Sequence, residues 1–206
     1  MNTKYTEEED KFISWFRENY KNILIGILFG ITIITSYKFY TDSKVNSMHD
    51  ISLKYEQAIN DYRNNNNKSL LKLSKELSET NPNNIYTNML NLYAAKIFHG
   101  TGNYEKSIDK LNLVISNVKS DDIKTIAQLR KVRIMLAQNK LDSAYEYVTS
   151  INSYDNNPFL VELIGDIYYK KNNQKLAREF YQKSLQFNLS PNKTKIINNK
   201  IDLLQK

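Results

Sequence analysis

Two histidines, His49 and His99, are the only ones in the 206 residues, and they stand far apart in the chain. There is no cysteine, which excludes disulfides, thiol nucleophiles and cysteine-ligated zinc or iron–sulfur centres. No Ser/His/Asp order, glycine-rich phosphate loop or metal-ligand spacing accompanies the histidines. The sequence therefore points away from catalysis, and no cofactor or metal is expected. Glu7, Glu8, Glu9 and Asp10 form the densest acidic cluster. Cation binding is one reading of it. The better one is electrostatic: with Thr6 as N-cap, these acids occupy the first turn of a helix running through Tyr20 and complement its dipole. That helix would gather Phe12, Trp15 and Phe16 near one face, suited to a membrane surface. The chemistry that remains is binding, which depends on the elements that present these residues.

Only 5 Gly and 3 Pro interrupt the chain, and 41% of it is hydrophobic. Those numbers favour a helical globular chain over an all-β design, whose turns need more breakers, and over disorder. The net charge of +7 is uneven. Residues 1–21 hold four Lys/Arg against five acids and residues 22–37 are neutral, so residues 38–206 carry +8. The lysines are scattered among acids on amphipathic stretches, without an Arg-rich stripe or nucleic-acid motif. No nucleic-acid partner is expected. The abundance of Asn, Lys, Ile and Tyr fits an AT-rich genome, and part of the charge is composition rather than design.

Asn22–Tyr37 reads NILIGILFGITIITSY, without charge or proline. Ile23–Tyr37 alone gives ~22 Å of helix, short of a bilayer core. Lys21 and Lys38 can snorkel, and Tyr20, Tyr37, Phe39 and Tyr40 sit where aromatic belts belong, so Tyr20–Tyr40 is long enough to span. A buried soluble helix would show a polar stripe, and a cleaved signal would have a short basic start and a small-residue cleavage site. Neither is present, and an uncleaved single-pass anchor in the lipid bilayer is expected. Lysine and arginine counts on the two flanks favour the amino terminus inside only slightly.

Beyond the anchor an internal repeat appears in Leu90–Ile115, Ile126–Ile151 and Phe159–Leu185. Each copy has Gly or Asn at a turn, an apolar residue or Gln two later, and a small residue three after that: Gly102/Tyr104/Ser107, Asn139/Leu141/Ala144 and Asn172/Gln174/Ala177. The small residues are 37 and 33 positions apart, near the tetratricopeptide period of about 34. A worn first pair is expected at 43–63 and 68–80, with Ile51, Tyr55, Ala58, Ile59 and Tyr62 as its stripe, Asn64–Asn67 as its loop and Asn81-Pro82 as its stop. Residues 191–204 would cap the array. The fold class is thus all-α: one N-terminal transmembrane helix, then a tetratricopeptide-like α-solenoid of about four helix pairs plus a C-terminal capping helix. The expected segments are 1–21, 22–40 and 43–206, with no length left for a further domain. In such a stack the first helix of each pair lines a concave groove. Counting from the turn residues puts Leu92, Lys96 and His99, then Leu129, Arg133 and Leu136, then Glu162, Asp166 and Tyr169 on that surface. It would offer an apolar floor, basic early and acidic late, to an extended or helical peptide. The plainer alternative for each residue is packing of repeat on repeat.

Taken together, the chain resembles the ancillary SecYEG translocon subunit family of Gram-negative bacteria, inner-membrane-anchored tetratricopeptide-repeat proteins. The residues that carry the resemblance are Tyr5-Thr6-Glu7-Glu8-Glu9, Trp15-Phe16-Arg17-Glu18-Asn19, Tyr37-Lys38-Phe39-Tyr40 and Ser52–Ile59 (SLKYEQAI). It implies a cytoplasmic amino terminus and a periplasmic repeat domain, a direction that charge counting alone leaves nearly open. It also implies association with the SecYEG translocon, with a membrane-anchored periplasmic chaperone of the prolyl-isomerase type, and with newly translocated client proteins, as well as a link to envelope stress signalling. A cytosol-facing scaffold that assembles a membrane-bound signalling or division complex is the competing reading of the repeats.

Overall fold

The computed structural model describes residues 7–204. Among them every regular element is helical, and no strand is present. The helices are α1 (Glu7–Arg63), α2 (Asn67–Thr80), α3 (Ile85–Gly100), α4 (Tyr104–Asn117), α5 (Asp121–Ala137), α6 (Leu141–Thr149), α7 (Pro158–Lys170), α8 (Gln174–Leu185) and α9 (Pro191–Leu203). Two compact units divide the chain, one ending at Lys54 and the other beginning at Tyr55.

Helix α1 is 57 residues long. It runs without a break through Tyr20, where a separate first helix was expected to end, and through the junction between anchor and repeats. The reason is local. No proline occurs before Pro82, and Gly26 and Gly30, the only glycines in α1, each cost about 1 kcal/mol without removing a backbone donor. The expected Thr6 cap lies outside the described residues. The acids do fill the first turn, and Phe12 lies against both Trp15 and Phe16, with ring centroids 6.3 and 6.4 Å apart, so the three share one face. The apolar stretch of α1 is long enough to cross a membrane, and none of it is buried against protein. That separates it from the core helix of a soluble domain. The hydroxyls of its threonines turn back on the helix: Thr32 Oγ1 donates to the Leu28 carbonyl at 2.8 Å and Thr35 Oγ1 to that of Ile31 at 2.9 Å. Neither threonine hydroxyl is thereby left to face hydrocarbon unsatisfied.

From Tyr55 the end of α1 and α2 open a series of helix pairs, α3 packs with α4, α5 with α6 and α7 with α8, and α9 closes the series against α8. One turn design joins every pair. Asn65, Gly102, Asn139 and Asn172 have φ of 62°, 75°, 58° and 59°, the left-handed region that Gly and Asn tolerate best. The following amides of Asn66, Asn103, Lys140 and Asn173 reach back to the carbonyls of Asp61, Phe98, Met135 and Tyr168 at 2.8–2.9 Å. The left-handed residues themselves donate to Tyr62, His99, Leu136 and Tyr169. This is the Schellman closure, four times over, and it satisfies the last carbonyls of each first helix. Asn66, Asn103 and Asn173 then cap the next helix through their side chains.

Five residues after each turn sits the position that sets helix-to-helix distance. Ser107, Ala144 and Ala177 are fully buried there, and the first pair carries Leu70 instead. The Ser107 hydroxyl is satisfied by donating to the Ala95 carbonyl at 2.7 Å. Tyrosines fill between neighbouring pairs: Tyr55 with Tyr86, Tyr62 with Tyr93 and Tyr145 with Tyr168, at centroid distances of 5.1–5.7 Å. The core thus runs as a chain of clusters, each shared by adjacent pairs, as in a solenoid.

Candidate peptide-binding groove

The nine residues expected to face a groove fall into three environments. Leu92, Leu129 and Leu136 are buried, with 6–8% of their surface exposed. Leu92 packs with Ala95, Leu111 and Ile134, and Leu129 and Leu136 with Val132, Ala144 and Leu160. These leucines join repeat to repeat.

Glu162 and Asp166 on α7 are engaged by the terminal helix. Lys193 pairs with Glu162. Lys200 Nζ donates to Glu162 Oε1 at 2.8 Å and to both Asp166 oxygens at 2.6 and 2.8 Å. The Tyr181 hydroxyl donates to Asp166 Oδ1 at 2.8 Å. Burial of Glu162 raises its pKa, but hydrogen bonds from Lys193 and Lys200, aided by their charges, outweigh that and leave it below the usual carboxylate value. Burial pushes the Tyr181 hydroxyl up, and the adjacent Asp166 carboxylate adds to the shift. These two acids therefore tie α7 to α9. Tyr169 beside them is exposed.

Lys96, His99 and Arg133 come together. They line a cavity of about 340 Å³ bounded by α3, α4 and α5, whose apolar walls are Ala95, Leu111 and Ile134. Arg130 also lines it, and the repeat pattern missed this residue. The signal that would have found it is the i,i+3 spacing to Arg133, which sets both on one side of α5. Arg130 Nη1 donates to the Leu92 carbonyl at 3.3 Å, bridging α5 to α3. Lys96 Nζ lies 5.9 Å from the centre of the Tyr62 ring, and His99 meets Tyr104 edge-on at 5.4 Å. No acidic side chain lines the cavity, and none of its three permanent cations is ion-paired among the described residues. Burial lowers the Arg130 pKa, and the charge of Arg133 lowers it further. Arginine stays protonated regardless, so the two charges coexist at a cost to folding. Among the described residues no cluster of His, Cys, Asp or Glu could hold a metal.

Stacked helix pairs, a repeated left-handed turn and a shared core lead to one family. The profile of the tetratricopeptide repeat-like domain matches residues 13–206. The chain belongs to that family. The match takes in the apolar part of α1 together with the repeats. This tetratricopeptide repeat-like protein is 27% identical over 188 residues to the ancillary SecYEG translocon subunit of Buchnera aphidicola subsp. Acyrthosiphon pisum, spanning 90% of this chain and 95% of that one. It is 21% identical over 203 residues to the protein of the same name in Escherichia coli (strain K12), spanning 97% and 98%. The counterpart in Buchnera aphidicola subsp. Schizaphis graminum is 28% identical over 156 residues, spanning 75% of this chain and 78% of that one. The resemblance drawn from the residues around the anchor is the one these relatives carry.

Proposed function

We propose that this chain is a non-enzymatic, protein-binding subunit of the Sec translocon, anchored by α1 in the inner membrane with its amino terminus cytoplasmic and its repeats periplasmic. In this reading the repeat domain receives newly translocated polypeptides and passes them to a membrane-anchored chaperone of the prolyl-isomerase type. The observation that carries the reading is near end-to-end similarity to relatives named ancillary SecYEG translocon subunit, with one exposed apolar helix and the repeats inside the same matched span. Groove contacts belong to Lys96, His99, Arg133 and Tyr169, whose side chains are exposed. The three leucines, Glu162 and Asp166 shape the groove from within.

Three measurements test this. Affinity purification of the full chain from mildly solubilised membranes is expected to recover the translocon, and a photo-crosslinker at Tyr169 is expected to capture translocating polypeptide. Protease added after the outer membrane is opened should degrade the repeat domain. A domain that survives intact there and is cut only from the cytosolic side would favour the cytosolic scaffold and reject the periplasmic one.

A further inference from the structure

We propose that the cavity between α3, α4 and α5 is an acid-reading subsite: it takes a Glu or Asp side chain, flanked by an apolar residue, from an extended peptide laid along the repeats. The inference rests on the groove reading above and adds the chemistry of what the groove selects.

Toward the carboxyl-terminal repeats, charged side chains pair with one another. The buried carboxylate of Glu162 has two lysines, and Lys171 reaches Asp142 at 2.5 Å. Around this cavity the opposite holds. Lys96 comes from one pair, Arg130 and Arg133 from the next, and they converge without a counter-ion. Such an arrangement favours an anion that enters it, because the planar guanidinium forks of Arg130 and Arg133 match the two oxygens of a carboxylate and Lys96 adds a third positive charge. Arg130 is already held in place by the Leu92 carbonyl, so its position costs little ordering on binding. The volume, about 340 Å³, is at the small end of ligand pockets and admits a side chain or two rather than a folded surface. Leu111 and Ile134 supply the apolar wall for the flanking residue.

The test uses full-length protein in nanodiscs of zwitterionic lipid and a pair of fluorescein-labelled extended peptides, identical except for Leu-Glu-Leu against Leu-Gln-Leu. Anisotropy at low salt should show the acidic peptide bound on the order of tenfold tighter, with the preference fading in high salt. Arg133→Glu should erase the preference and turn it toward a Leu-Lys-Leu peptide, and Lys96→Gln should weaken it. Circular dichroism confirms that each variant remains helical. Equal binding of the acidic and amide peptides overturns the acid subsite while leaving the groove reading standing. Binding of neither peptide, together with no capture from Tyr169, overturns both. A preference that survives Arg133→Glu and Lys96→Gln puts the acid elsewhere and overturns the subsite. Phosphatidylglycerol vesicles engaging through Arg133 while the peptides do not bind would assign the cavity to a membrane surface and equally overturn it.

Discussion

At Gly165 a hydrogen is all that fits. A Cβ there would stand 2.5 Å from Cδ1 and Cε1 of Tyr181, whose ring is buried between α7 and α8. Gly165→Ala must push apart a helix pair whose partner position, Ala177, is already fully buried. It is expected to cost about 1–3 kcal/mol, seen as a lower urea midpoint at unchanged m-value. Close to it, Glu162→Gln should cost about 3 kcal/mol at neutral pH, because two lysines lose the charge they enclose. The pH dependence has a definite sign. The folded pKa of Glu162 lies below its ordinary value of 4.5, so its stabilisation is complete above that value and is lost as pH falls through the folded pKa. Melting temperatures of wild type and Glu162→Gln should therefore converge as pH drops below about 4.5, and parallel curves would refute the pairing.

At the scale of elements, the repeat is written in its turns as much as in its hydrophobic stripes. Gly102, Asn139 and Asn172 were legible in the sequence as turn residues, and each occupies the left-handed region. Asn65 does the same in the worn first pair, where Leu70 replaces the small residue and hides the register. Part of the asparagine content that composition alone reads as genomic bias is thus structural. Gly102→Ala should cost about 1 kcal/mol, since a Cβ is strained at φ of 75°, whereas Asn139→Gly should be close to neutral. Thermal melts of the two variants side by side check the contrast. The groove was less legible. Helical spacing placed Lys96, His99 and Arg133 on one expected surface, and in the structure all three line one cavity. It gave no means of telling a leucine that lines a groove from one that seals two repeats, because both recur at the same period.

For the whole chain, the anchor decides where the repeats can work. α1 places its apolar stretch where no protein covers it, and lipid is the solvent that such a surface requires. Leu28→Lys puts a charge in the middle of that stretch, at about 2.5–3.5 kcal/mol on an insertion scale. It should raise the fraction of chain extracted by alkaline carbonate, where wild type stays with the membrane pellet. An equal extracted fraction for both would argue against a spanning helix.

The sequence by itself determined the helical class, the anchor candidate and the turns between the helices of all four pairs. Those properties follow from periodicity, turn residues and composition, all of which act locally along the chain. The continuity of α1 also follows from local rules, since nothing before Arg63 stops it, although segment-by-segment reading divided it. Only the tertiary structure decided which charges are partners. Glu162 and Asp166 meet lysines more than thirty positions away on α9, so the acidic end of the expected groove is tied down by the cap. Arg130 enters the cavity because α5 docks across α3. Charge pairing depends on distances between helices, and no periodicity encodes them.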